Sequence, residues 1–345
     1  MSYQAPDKDL GASYKNKTII TETEVDLQGI LNWHFPCPPG GNLTFEIELM
    51  GTYSEDTSIS TSKLLDVPIV QNYEQSFDLK EYLNYSFNYE VRIKPRNEVG
   101  TGKVSVLTFK TDPNYPGKPQ NLIVEDTGTE VTVSWEEPEE KWGKIVNYHV
   151  ELESLGPAPG GFDCEEEKGT KIVDTTDLTT TFKSKSYYSY NVRVSAETTV
   201  GRGQANEADH QTKTSPPEAV DELKVEDKSV DNHQDNVELN VELNWKSPCT
   251  SNGKLMLILE LNGQYTEDPT NTQSQNFSIE GTTQNFDVSK YLKYSYDYNA
   301  TIISSNEEGE GGKNTIAFKT SPNCKSNCFT TELLSIKICT HFRSW

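Results

Sequence analysis

Three stretches of this chain share one pattern. "NYEVRIKPRNEVGTG" (88–102), "SYNVRVSAETTVGRG" (189–203) and "DYNATIISSNEEGEG" (297–311) each hold a tyrosine, apolar residues two and four positions beyond it, and glycines eleven and thirteen beyond it. A recurrence about every hundred residues marks an array of whole domains, since solenoid repeats run at roughly 20–50 residues. The tryptophans keep the same step. Trp33, Trp135 and Trp245 are 102 and 110 residues apart, and each stands three residues before a proline: Pro36, Pro138 and Pro248. From Trp to Tyr the spacings are 56, 55 and 53, ending on Tyr89, Tyr190 and Tyr298. Two landmarks in register make the repeat real.

The first and third copies match each other more closely than the second. "LNWHFPC" aligns with "LNWKSPC", "IELMGTYSED" with "LELNGQYTED", and "SFDLKEYLNYSFNY" with "NFDVSKYLKYSYDY". The middle copy carries an insert, "SLGPAPGGFDCEEEKG" (154–169). An alternating array duplicated in pairs has this look. Within each copy the period is two, as in "EVTVSW" (130–135) and "YNVRVSA" (190–196), which describes half-buried strands. Short β-runs punctuated by Gly, Pro, Asn and Asp, with helical periodicity almost absent, predict antiparallel β-sandwiches. An apolar content of 33% suits several thin cores better than one large one. The expected fold class is therefore all-β: three tandem sandwiches at 12–112, 116–213 and 217–320. "DPNYPGKP" (112–119) and "TSPPEAV" (214–220) read as stiff, proline-rich linkers. The tail, 321–345, is expected to pack on no core and to be poorly ordered.

Trp-x-x-Pro on an early strand, Tyr-x-φ-x-φ on a late one (φ an apolar residue) and the Gly-x-Gly turn resemble the fibronectin type III domain, over residues from about 15 to 320. The resemblance implies that Trp33, Trp135 and Trp245 fill the cores. It further implies that Tyr89, Tyr190 and Tyr298 form corners, each hydroxyl bonding back along the chain. Leu83 and Leu292, six residues before two of these tyrosines, are the usual companions. Ser184 stands at that place in the middle copy, which weakens the expected corner there.

Catalytic patterns are missing from the sequence. A tyrosine phosphatase loop needs an arginine six positions after its cysteine, and Cys339 to Arg343 has the wrong spacing. There is no glycine-rich phosphate loop, serine nucleophile elbow or His-Glu-x-x-His. Cys324, Cys328, Cys339 and His341 fit zinc-finger spacings poorly, and "DNHQDN" (231–236) reads as an exposed turn rather than a calcium loop. The expectation is no enzyme, no cofactor and no metal. A net charge of −22 disfavours nucleic acid and anionic membranes as partners, and no apolar run spans a bilayer.

Five Asn-x-Ser/Thr acceptors stand at Asn16, Asn42, Asn84, Asn276 and Asn299. With 26 Asn and 64 Ser or Thr, chance alone supplies about five, so their number says nothing about compartment. Strand alternation turns Asn299 outward if Tyr298 points inward. Leu65, Asp66, Val67 and Pro68 resemble a short integrin-recognition motif, which requires Asp66 on an exposed loop; the plainer reading is an edge strand with a solvated Asp66.

The family resemblance implies a non-catalytic adhesion or receptor segment that binds protein partners, similar to the ectodomains of receptor-type tyrosine phosphatases. The opening residues do not read as a signal peptide, so an extracellular or cell-surface reading makes the chain a fragment or an isoform. The alternative is an intracellular array like the repeats of giant muscle proteins. In a fibronectin-type sandwich the loop after the core Trp, which holds Cys37 and Cys249, faces the preceding domain. The insert with Cys164 lies at the opposite end. Cys164 and Cys249 are therefore candidates for a disulfide across the second junction, with free thiols or pairing to the tail as the other readings.

Overall fold

The structure is a computed structural model that describes residues 10–34, 42–67, 73–231, 237–322, 328–330 and 337–339. Twenty-one strands build three sandwiches. In the first, β1 (Ser13–Asn16), β2 (Gly29–His34) and β5 (Glu74–Asp78) form one sheet. Facing it are β3 (Thr44–Tyr53), β4 (Ser60–Val67), β6 (Phe87–Arg96) and β7 (Ser105–Lys110), in the order β4-β3-β6-β7.

The second sandwich repeats the plan. Its sheets are β8-β9-β12 and β11-β10-β13-β14, from β8 (Gln120–Asp126), β9 (Glu130–Glu136), β10 (Asn147–Pro157), β11 (Gly169–Thr175), β12 (Thr179–Lys183), β13 (Tyr188–Thr198) and β14 (Gly201–Gln211). The third has β15-β16-β19 and β18-β17-β20-β21, from β15 (Asp221–Asp227), β16 (Val241–Lys246), β17 (Met256–Tyr265), β18 (Asp268–Glu280), β19 (Asn285–Asp287), β20 (Tyr296–Asn306) and β21 (Gly309–Lys319). All these pairings are antiparallel, and helix is limited to two single 3₁₀ turns among the described residues.

Alternation decides what each strand buries. In β2, β9 and β16 every second residue faces inward, ending on the tryptophans, which are 1%, 4% and 3% exposed. The tyrosines of β6, β13 and β20 are each 1% exposed, with Val91 and Ile93, Val192 and Val194, and Ala300 and Ile302 beside them in the core. Three separate hydrophobic clusters result, one per sandwich. Burying each Trp is worth about 3–5 kcal/mol against alanine.

Most of the tail, including the side chains of Cys324, Cys328, Cys339 and His341, lies outside the described residues, as do 232–236. Within the tail, Cys328–Thr330 and Lys337–Cys339 pair as two antiparallel strands. Among the described residues no helix is long and apolar enough to cross a membrane.

Candidate functional site

The recurring pattern is first a corner. The tyrosine hydroxyl accepts from the backbone N–H five residues earlier in every copy: Asn84 to Tyr89 at 2.8 Å, Lys185 to Tyr190 at 2.9 Å, Lys293 to Tyr298 at 2.8 Å. The middle corner thus forms despite Ser184, which corrects the expectation of a weakened one. Ser184 replaces an apolar contact with hydrogen bonds, donating from its N–H to the Thr129 carbonyl (2.8 Å) and from its hydroxyl to the Gly128 carbonyl (3.3 Å).

A threonine then locks each corner, a feature the sequence reading missed. Thr111, Thr212 and Thr320 accept from the N–H of Phe87, Tyr188 and Tyr296 at 2.9–3.0 Å. Their hydroxyls donate to the carbonyls of Asn84, Lys185 and Lys293 at 2.6, 2.7 and 2.6 Å. The turn between passes through a left-handed residue each time: Ser86, Tyr187 and Ser295, at φ 56°, 56° and 58°.

The two junctions are built alike. At the first, the linker's Asn114 donates its N–H to the Trp142 carbonyl (3.0 Å) and accepts from the Thr198 hydroxyl (2.9 Å). At the second, Ser215 donates to the Asn252 carbonyl (3.2 Å) and accepts from the Asn306 amide (2.6 Å). Trp142 and Asn252 share a left-handed backbone, φ 50° and 49°. The second glycine of Gly-x-Gly belongs to the junction too: a Cβ on Gly203 or Gly311 would collide with the carbonyl oxygen of Pro116 or Pro217. The first junction adds aromatic contacts. Tyr85 meets Trp142 edge-on at 5.6 Å, and the Tyr53 and Tyr115 hydroxyls donate to the carbonyls of Gly143 (3.2 Å) and Thr21 (2.7 Å).

At the second junction the insert of the middle copy acts as a strap. Its Asp163 carboxylate, 1% exposed, takes the Lys185 ammonium (2.5 Å), the Tyr188 hydroxyl and the Glu165 N–H (2.8 Å). Burial pushes the Asp163 carboxyl up, but Lys185, Tyr188 and the Glu165 N–H together hold it below the usual carboxylate range. Glu167 accepts from the Tyr190 hydroxyl at 3.0 Å, tying the strap to the corner. So held, the strap reaches the next sandwich as a short piece of sheet. Cys164 donates its N–H to the Cys249 carbonyl (3.0 Å), Asp163 pairs with Thr250, and Phe162 exchanges bonds with Ser251 at 2.9 and 3.1 Å. Cys164 and Cys249 form a disulfide with Cα atoms 5.1 Å apart.

Residues 117–212 match the Fibronectin type III domain family. The middle domain is a fibronectin type III domain, and the chain is a tandem of three sandwiches of that fold. The first and third copies carry the same strand order, corner and threonine lock as the matched one. The chain is 33% identical over 141 residues to Protein sidekick-1 of Gallus gallus, covering 40% of this chain and 6% of that protein. It is 25% identical over 233 residues to a sidekick homolog of Caenorhabditis elegans (63% of this chain, 9% of that protein). Over 136 residues it is 29% identical to the putative receptor-type tyrosine-protein phosphatase mosPTP-1 of Aedes aegypti (38% and 10%). It thus spans a tenth or less of the length of these relatives. Among solved structures, the FN1–FN3 domains of chicken CNTN1 align over 88% of this chain and 97% of that one, at 18% identity and a TM-score of 0.37.

The remaining sequence candidates fall on the fibronectin type III framework as follows. Leu65, Asp66 and Val67 belong to β4, the edge strand of the first domain, and are half-buried, exposed and buried in turn. The stretch is therefore a strand rather than a loop, and Pro68 lies outside the described residues. All five acceptor asparagines are exposed. Asn299 does face outward from the buried Tyr298.

Proposed function

We propose that this chain is a non-catalytic segment of a cell-surface or secreted receptor, and that it binds protein partners through the sheet faces and end loops of its fibronectin type III domains. The observation that carries this reading is the Cys164–Cys249 bond between domains two and three. Disulfides persist in oxidising compartments and are rare in cytosolic proteins. An intracellular array of muscle type has no use for such a link. A receptor-type phosphatase among the relatives supports the same reading, and membership of a phosphatase ectodomain is its narrower form. Loops presented on a rigid scaffold are where binding residues concentrate. The test is to label intact source cells with a membrane-impermeant amine reagent and map the recovered protein without reduction. Surface labelling together with a linked Cys164–Cys249 peptide is the expected outcome. Unlabelled protein with both thiols free would overturn the reading.

A further inference from the structure

The outer face of the four-stranded sheet in domain three differs in chemistry from its counterpart in domain one. In domain one that face is a charged ladder: Glu46 and Glu48 on β3 pair with Lys94 on β6 at 3.2 and 3.1 Å, beside Arg92. Counted from the corner tyrosine, Arg92 and Lys94 become Thr301 and Ile303 in domain three, and Glu46 becomes Ile258. The Thr301 and Thr315 hydroxyls pair at 2.9 Å where the ladder would run.

Two acceptor asparagines stand on this face. Asn276, Glu260, Thr301 and Thr315 share one cross-strand row; Ser274, Asn262, Asn299 and Ala317 share the next. Glu260 is the single charge in the two rows. Ser278 and Thr301, the sequon hydroxyl residues, lie two along each strand and so on the same face. The three acceptors of domain one are engaged differently. Asn16 donates its amide to Asp112 (2.9 Å), Asn42 donates to Glu98 (3.4 Å), and Asn84 sits in the corner itself, its backbone N–H donating to the Tyr89 hydroxyl (2.8 Å). Beside Asn299 an open groove of about 620 Å³ is lined by Asn262, Gln264, Thr272 and Ser274, with the Asp297–Lys319 ion pair (3.0 Å) also on its wall. Amides and hydroxyls both donate and accept, as sugar hydroxyls require. Ala317, next to Asn299, leaves room on its other side.

We propose that Asn276 and Asn299 carry N-linked glycans and that the sugar on Asn299 lies in this groove, closing the face to protein partners. The proposal rests on the extracellular reading above. The donor is a lipid-diphosphate-linked oligosaccharide. A bond forms from Nδ2 to the first sugar's C1, the C1–O bond to the diphosphate breaks, Nδ2 gives up one proton, and the lipid diphosphate leaves.

The test uses the full chain isolated from its source cells and treated with N-glycosidase in heavy-oxygen water. The expected result is an Asn-to-Asp mark at both 276 and 299. In the same chain secreted from cultured eukaryotic cells, the Asn299 glycan should stay oligomannose, sheltered from trimming, while that on Asn276 is processed. Asn262→Ala with Ser274→Ala should convert the Asn299 glycan to the processed form, and Thr301→Val should remove the 299 mark alone. Either site unmarked in molecules that hold the Cys164–Cys249 bond overturns the proposal and leaves the extracellular reading standing. Equal processing at both sites, indifferent to the groove variants, overturns the groove. Unmarked chain with free thiols sinks both.

Discussion

Tyr190 shows how one hydroxyl can serve both a fold and an accessory. It accepts from Lys185, which closes the corner, and donates to Glu167, which holds the strap. Tyr190→Phe leaves the Lys185 N–H without its acceptor, at a cost of about 1–3 kcal/mol. Denaturant melts of the oxidised chain should show that loss in domain two, and an unchanged midpoint would remove the corner's energetic role. The tyrosines and tryptophans were legible in the sequence because large residues at fixed spacing have few other uses. Thr111, Thr212 and Thr320 perform an equally regular job but were not legible, since threonine is among the commonest residues here and nothing marks one from another. Trp142 and Asn252 hid for the opposite reason. They share a backbone conformation while their side chains differ entirely, so no comparison of letters pairs them.

At the level of elements, the sequence marks the strap over domain two as an insert with a cysteine, and nothing in its letters singles out one acid among four. The fold singles out Asp163. Its folded pKa lies below the unfolded value, so the stability it contributes is fully present above the ordinary carboxylate range. That stability is lost as pH falls through the folded pKa. Asp163→Asn should therefore be less stable than the parent at neutral pH, with the gap narrowing through the carboxylate range and closing below the folded pKa. Paired unfolding curves across acid pH check this, and a gap that stays constant would assign the loss to packing instead. The pairing of Cys164 with Cys249 was legible from which end of a sandwich each loop occupies. The bridge that aligns them was not, because it depends on Phe162 and Ser251 exchanging backbone and hydroxyl bonds.

Over the whole molecule, the disulfide closes a loop of 85 residues that includes the second junction. In the chain-entropy account such a loop is worth about 4.5 kcal/mol. Replacing both cysteines by serine should split one calorimetric transition for domains two and three into two, with domain one unmoved. A single transition at the parent's temperature would show that the backbone contacts alone couple the pair. Main chain also fills both junctions at the glycines at 203 and 311, whose missing side chains are replaced by the carbonyls of Pro116 and Pro217. A joint filled by main chain sets the rotational phase of one domain against the next about the long axis. A partner that must touch two neighbouring domains meets a single alignment of its two footholds. The ordering entropy of that alignment was spent when the chain folded, so it is not charged again at docking.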